Sequence, residues 1–134
     1  MWIAHIAGGG VGPDEQDVKL SPGAKAEFAT ATNGGLGGLS ATRYWPKTGC
    51  DESGNHCSIG DSGGPAEGCV IRIPGKDDNY TQCAPPVDTK FEATFGAPGS
   101  AYDIVDMSLV DGYTLPFKLE TSGGSCTRNG VSFE

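Results

Sequence analysis

The stretch Lys90-Phe-Glu-Ala-Thr-Phe95 alternates in character from residue to residue, with aromatic or small apolar side chains at every second position. Successive side chains of a strand point to opposite faces, so a period of two marks a strand with one buried side. Phe91, Ala93 and Phe95 are expected to face a core, and Lys90, Glu92 and Thr94 to point outward. Upstream, Ala41-Thr-Arg-Tyr-Trp45 reads the same way, with Thr42 and Tyr44 on one side and Arg43 and Trp45 on the other. Downstream, residues 102 to 110 form the longest apolar-rich run. Asp111-Gly112 then carries a hairpin-turn signal, and residues 113 to 119 are expected to return as a strand.

The same reading extends to both ends. Trp2 to Ala7 is a short strand stopped by Gly8-Gly-Gly10. Residues 17 to 20 and 25 to 32 are expected to pair as a hairpin about the turn Ser21-Pro-Gly-Ala24, with Ala26, Phe28 and Thr30 on one side. Gly34 to Gly38 is a loop, residues 46 to 69 lack regular pattern, and Val70 to Ile73 is a short strand. The last residues, 121 to 134, are polar and weakly patterned. No segment sustains a helical period. Short strands with turn chemistry between them predict a single all-β domain over residues 1–134, a disulfide-stapled β-sandwich with little or no helix.

Composition narrows the function. The chain has 134 residues and a net charge of −8. Phosphate binding needs Lys and Arg to displace counterions, so nucleic acid is an unfavourable partner. No run approaches the roughly 20 apolar residues of a membrane span. The acidity suits a neutral glycan or a cationic protein, or it serves solubility alone. Five cysteines leave at least one unpaired within the chain. None has the C-x-x-C spacing of a zinc site, and neither metal nor cofactor is expected. Cys50-Asp-Glu-Ser-Gly-Asn-His-Cys57 reads as a small polar loop closed by a disulfide. Asn79-Tyr-Thr81 is a glycosylation sequon, which fits an extracellular loop. The N-terminus has no basic region or long apolar run of a signal peptide, so a secreted protein would here be a mature form or a fragment.

Gly60-Asp-Ser-Gly-Gly-Pro65 matches the nucleophile loop of chymotrypsin-like proteases. Such catalysis needs a histidine base and a buried aspartate on other strands. Only His5 and His56 are available, and the chain is far shorter than the two barrels such an enzyme uses. The segment reads instead as a Gly-rich turn, with Asp61 in a turn-fixing role.

Four blocks, in order, resemble thaumatin-like proteins, the osmotin or pathogenesis-related group 5 type. Ala41-Thr-Arg-Tyr-Trp-Pro-Lys-Thr-Gly-Cys50 resembles A-R-x-W-x-R-T-x-C. Cys57-Ser-Ile-Gly-Asp-Ser-Gly-Gly64 resembles C-x-T-G-D-C-G-G. Pro85-Pro-Val-Asp-Thr-Lys-Phe-Glu92 resembles P-P-x-T-L-A-E. Tyr102-Asp-Ile-Val-Asp-Met-Ser-Leu-Val-Asp-Gly-Tyr-Thr-Leu-Pro116 resembles D-x-S-L-V-D-G-F-N-x-P. The resemblance implies a β-sandwich and a secreted, antifungal-type protein that binds β-1,3-glucan, in some members with weak endo-β-1,3-glucanase activity.

It also implies an acidic cleft, carried here by Arg43, Glu92, Asp106 and Asp111. Glycoside hydrolysis takes one protonated and one ionised carboxyl. Glu92 is the candidate acid and Asp106 the ionised partner, with Asp111 as alternate. Arg43 would keep its neighbours ionised and oriented, and Arg43 and Asp111 are the candidate glucan-binding residues. Tyr44 or Tyr113 could stack on sugar rings. Plainer readings stay open: Asp111 as a turn residue, Arg43 and Glu92 as an ordinary cross-strand ion pair, Asp106 as a solvated strand residue.

Departures from the family pattern matter. Ser62 stands where the family has cysteine, so Cys69 is expected to pair with Cys83, and Cys126 is left over. Set against the family, the chain is expected to lack the second disulfide-rich domain and the first and last strands, which would leave the cleft one wall. One wall excludes water poorly, which ranks binding above hydrolysis. A monomer that binds β-glucan is the leading expectation. A weak glucanase, or a protein-interaction or inhibitor module using the acidic face, are the alternatives.

Overall fold

A computed structural model of the chain describes residues 1–7, 13–61, 88–100, 103–123, 126–128 and 131–133. Eight strands occur among them: β1 (Trp2–Ala7), β2 (Asp17–Lys19), β3 (Ala31–Thr32), β4 (Gly37–Lys47), β5 (Lys90–Phe95), β6 (Ile104–Ser108), β7 (Cys126–Arg128) and β8 (Val131–Phe133). The only helical element among the described residues is a 3-10 turn, Asn33–Gly35. The fold is all-β, as the alternating segments require.

Strands β2-β1-β4-β5-β6 lie side by side, antiparallel at each pairing, and β3 pairs with the first residues of β4. β7 and β8 form a separate ribbon. The register sorts side chains into two faces. His5 lies opposite Tyr44, and Tyr44 opposite Phe91, which in turn faces Met107. This is the aromatic face. His5 stacks on Tyr44 at 4.7 Å between ring centroids, and the Phe28 ring meets Tyr44 edge-on at 5.1 Å. Such pairs add roughly 0.5–1.5 kcal/mol each beyond burial. A cavity of about 410 Å³ opens on this face between Phe28, Tyr44, Phe91, Phe95, Met107 and Phe117.

The other face carries Ala4 opposite Trp45, and Arg43 opposite Glu92. Trp45 is fully buried with Ala4 and Ile6. Its indole N–H donates to the Gly60 carbonyl at 3.0 Å, so the loop after β4 closes over it.

A bulge in β4 fixes this division. Leu39 pairs with Phe95, yet Thr42 pairs with Ala93, so one extra residue stands between them. Ala41 there takes a positive φ of 51° and its N–H donates to Thr94 Oγ1. Without the extra residue every later side chain of β4 would change faces, and Arg43 would point into the aromatic layer.

Several expectations need correction. Residues 25 to 29 form no ladder with β2. The turn at Ser21 closes, with Ala24 N–H bonded to the Ser21 carbonyl, but β2 pairs with β1 instead. Residues 113 to 119 run without strand pairing. Thr114 is tied to Thr89 by a reciprocal pair of N–H to hydroxyl bonds. Lys90 does lie on Glu92's face, but it is 1% exposed rather than outward in solvent. Val70 to Ile73, the Asn79 sequon and the Cys69–Cys83 pairing lie outside the described residues, as does the Cys126 side chain.

Candidate functional site

On the face away from the aromatic layer, Arg43, Glu92 and Asp106 stand in one cross-strand row. The ladder pairs Arg43 with Glu92 and Glu92 with Asp106. Arg43 Nε donates to Glu92 Oε1 at 2.7 Å, with about a third of each side chain in solvent. Asp106 is exposed on β6. Asp111 follows β6 and accepts from Lys90 Nζ at 2.5 Å. The Arg43 charge also acts on Asp111. The structure therefore gathers all four sequence-selected residues around one patch.

Burial pushes the Glu92 carboxyl up. The Arg43 and Ser108 hydrogen bonds and the Arg43 and Lys90 charges more than offset this, and hold it below its ordinary value. The hydrogen bond from Lys90 and then its charge hold Asp111 low as well. A general acid needs the opposite, a carboxyl kept protonated near neutral pH. In the free protein Glu92 is an ionised acceptor.

The neighbouring cations follow the same logic. Lys47, buried, meets Asp17 at 3.2 Å. Lys19 lies 5.3 Å from the Trp2 ring centroid. Lys90 is the residue that sequence reasoning missed. The period-two pattern placed it correctly on the Glu92 face, but nothing local shows that the chain after β6 folds back to cover it.

The flanking loop is closed by the Cys50–Cys57 disulfide. Asp51 accepts from the Ser53 and Asn55 N–H groups and meets His56 Nδ1 at 2.9 Å. Asp61 accepts from Cys57 N–H at 2.7 Å, which is the turn-fixing geometry. Ser62 lies outside the described residues. His5 is fully buried on the aromatic face, and burial lowers its pKa. It is placed as a core residue. Tyr44 is also buried there, so it is not a sugar-stacking surface, whereas Tyr113 is 66% exposed two residues beyond Asp111.

These features define an antiparallel, disulfide-closed β-domain that sets a mixed row of carboxylates and cations on one sheet face. The chain belongs to the thaumatin family, whose family model matches residues 1–133. It is 37% identical over 128 residues to pathogenesis-related protein 5 of Arabidopsis thaliana, covering 93% of this chain and 45% of that protein. It is 33% identical over 135 residues to thaumatin-like protein 1 of Pyrus pyrifolia, covering 98% and 49% respectively. A thaumatin-like protein of Actinidia deliciosa is 28% identical, with 96% of this chain and 47% of that protein covered. The chain thus spans about half the length of the curated relatives it matches. No solved structure matches the chain significantly.

Proposed function

We propose that this chain is a secreted, defence-type thaumatin module that contacts β-1,3-glucan through the Arg43–Glu92–Asp106 row. The carrying observation is the Arg43–Glu92 hydrogen bond across β4 and β5 with Asp106 next in register. Ionised carboxylates are acceptor-only, so they suit sugar hydroxyls, and Arg43 offers further N–H donors beside them. Tyr113 supplies an apolar ring at the patch edge. Binding is favoured over hydrolysis because Glu92 is held ionised. The family's pathogenesis-related members and the disulfide support an extracellular reading.

Pull-down on insoluble β-1,3-glucan tests the reading. The protein should be retained at moderate salt, and Arg43→Ala should reduce retention about tenfold, as expected for losing a hydrogen bond to a charged group. Absence of retention at every salt concentration would reject glucan contact.

A second reading, contact with a basic partner protein, is favoured by Leu109 and Val110, the latter 90% exposed beside the acidic row. Salt-sensitive protein binding without glucan affinity would select it.

A further inference from the structure

Lys90 breaks the usual rule for a buried strand position. Its side chain is 1% exposed and ionic, on the face that carries Glu92. A buried ammonium contributes less to stability than an apolar side chain of similar size, because desolvation offsets its pairing. Its presence therefore asks for another reason.

The surroundings supply one. Asp111 belongs to the irregular segment after β6, and it is docked by two contacts. One is the bond from Lys90 Nζ; the other is the reciprocal Thr89–Thr114 pair, three residues further on. Lys90 pairs in register with Ser108, whose hydroxyl bonds Glu92. The ammonium thus acts on both carboxylates. On the flanking strands, the charged residues level with Glu92 are Arg43 on β4 and Asp106 on β6.

We propose that Lys90 is a positioning residue for glucan contact, whose buried ammonium clamps Asp111 onto the face of Glu92 so that both carboxylates meet one glucan chain. This rests on the glucan reading above. Asp111 is otherwise a half-exposed side chain on an irregular segment, and ordering it at the moment of binding would weaken affinity. Clamping it beforehand removes that cost. The clamp also keeps a cation near Glu92, which stays an acceptor at lower pH than Arg43 alone would allow.

The test measures soluble β-1,3-glucan affinity for the wild-type chain, Lys90→Met, Asp111→Asn and the double variant. Carboxyl NMR titrations of Glu92 and Asp111 accompany it. Each single change should weaken binding about tenfold, and the double should be no weaker than either single, because Lys90 acts through Asp111. In Lys90→Met the Glu92 and Asp111 midpoints should both move to higher pH. Wild-type affinity in Lys90→Met, multiplied losses in the double variant, or unmoved midpoints would each overturn the proposal. Where the wild-type chain itself binds no glucan, the glucan reading fails and the role in glucan contact falls with it. The titrations then decide separately whether the clamp exists. If Lys90→Met does not fold, Asp111→Asn decides: the Glu92 midpoint should fall when the neighbouring anion is removed, and an unmoved midpoint contradicts the coupling.

Discussion

Glu92 shows how one side chain can be legible in position and illegible in state. Its place on the non-aromatic face follows from the alternation of Lys90 to Phe95 alone. Its ionisation does not, because burial favours the neutral form while Arg43, Ser108 and Lys90 oppose it. Only the fold shows which side wins. A carboxyl whose folded pKa is depressed contributes stability that is present above its unfolded value, near pH 4.3, and is lost as pH falls through the folded one. Glu92→Gln should therefore remove the acid limb of glucan retention. Neutral-pH affinity should fall about tenfold, the loss of a charge-assisted hydrogen bond. Thermal stability should change by less than about 1 kcal/mol, since the ion pair is partly solvated. Retention assayed from pH 3 to 7 checks this; an unchanged acid limb would remove Glu92 from the binding surface. Tyr44 is the converse case. Its face was correctly assigned, but an aromatic residue opposite a histidine on a core strand stacks inward and is lost to sugar.

Among the elements, the bulge in β4 and the loop from Cys50 to Cys57 do most to present the site. The bulge leaves no mark in the sequence, since Ala41 is an ordinary residue in an unusual backbone conformation. The alternation from Thr42 onward is still readable because it lies wholly beyond the bulge. The hairpin expected between residues 17 and 32 failed for a related reason. Ser21-Pro-Gly-Ala24 makes its turn, but a turn does not oblige the chains on either side to pair, and β1 offers β2 a partner already held by β4. Ala26, Phe28 and Thr30 nevertheless line the same cavity, so their common side was read correctly. The disulfide loop was legible because two cysteines flank a polar stretch. Gly60, which receives the Trp45 indole, has φ +80° and leaves no room for a Cβ beside the Pro46 carbonyl. Cys57→Ser should cost roughly 2–3 kcal/mol through the loop constraint and lower the melting temperature by about 10 °C. Calorimetry with and without reductant measures it. A wild-type protein whose melting is insensitive to reductant would show that the loop is held by its hydrogen bonds alone.

At the scale of the molecule, one sheet presents two unlike surfaces. One carries stacked rings and a cavity; the other carries paired charges, closed at one end by the disulfide loop and open around Arg43, Glu92 and Asp106. The division was readable wherever alternation was unbroken. The identity of what covers each half was not, because the covering segments are irregular and reach their places through isolated side-chain contacts such as Trp45 to Gly60, Lys90 to Asp111 and Thr89 to Thr114. Titration of the isotope-labelled chain with a soluble β-1,3-gluco-oligosaccharide, followed through the Arg43 Nε–H and the Glu92, Asp106 and Asp111 carboxyl signals, tests the central claim most directly. Shifts should concentrate on those four side chains and leave Phe28, His5 and Phe117 on the opposite face unmoved. Shifts confined to the aromatic face, or none at saturating sugar, would contradict glucan contact through the charged row.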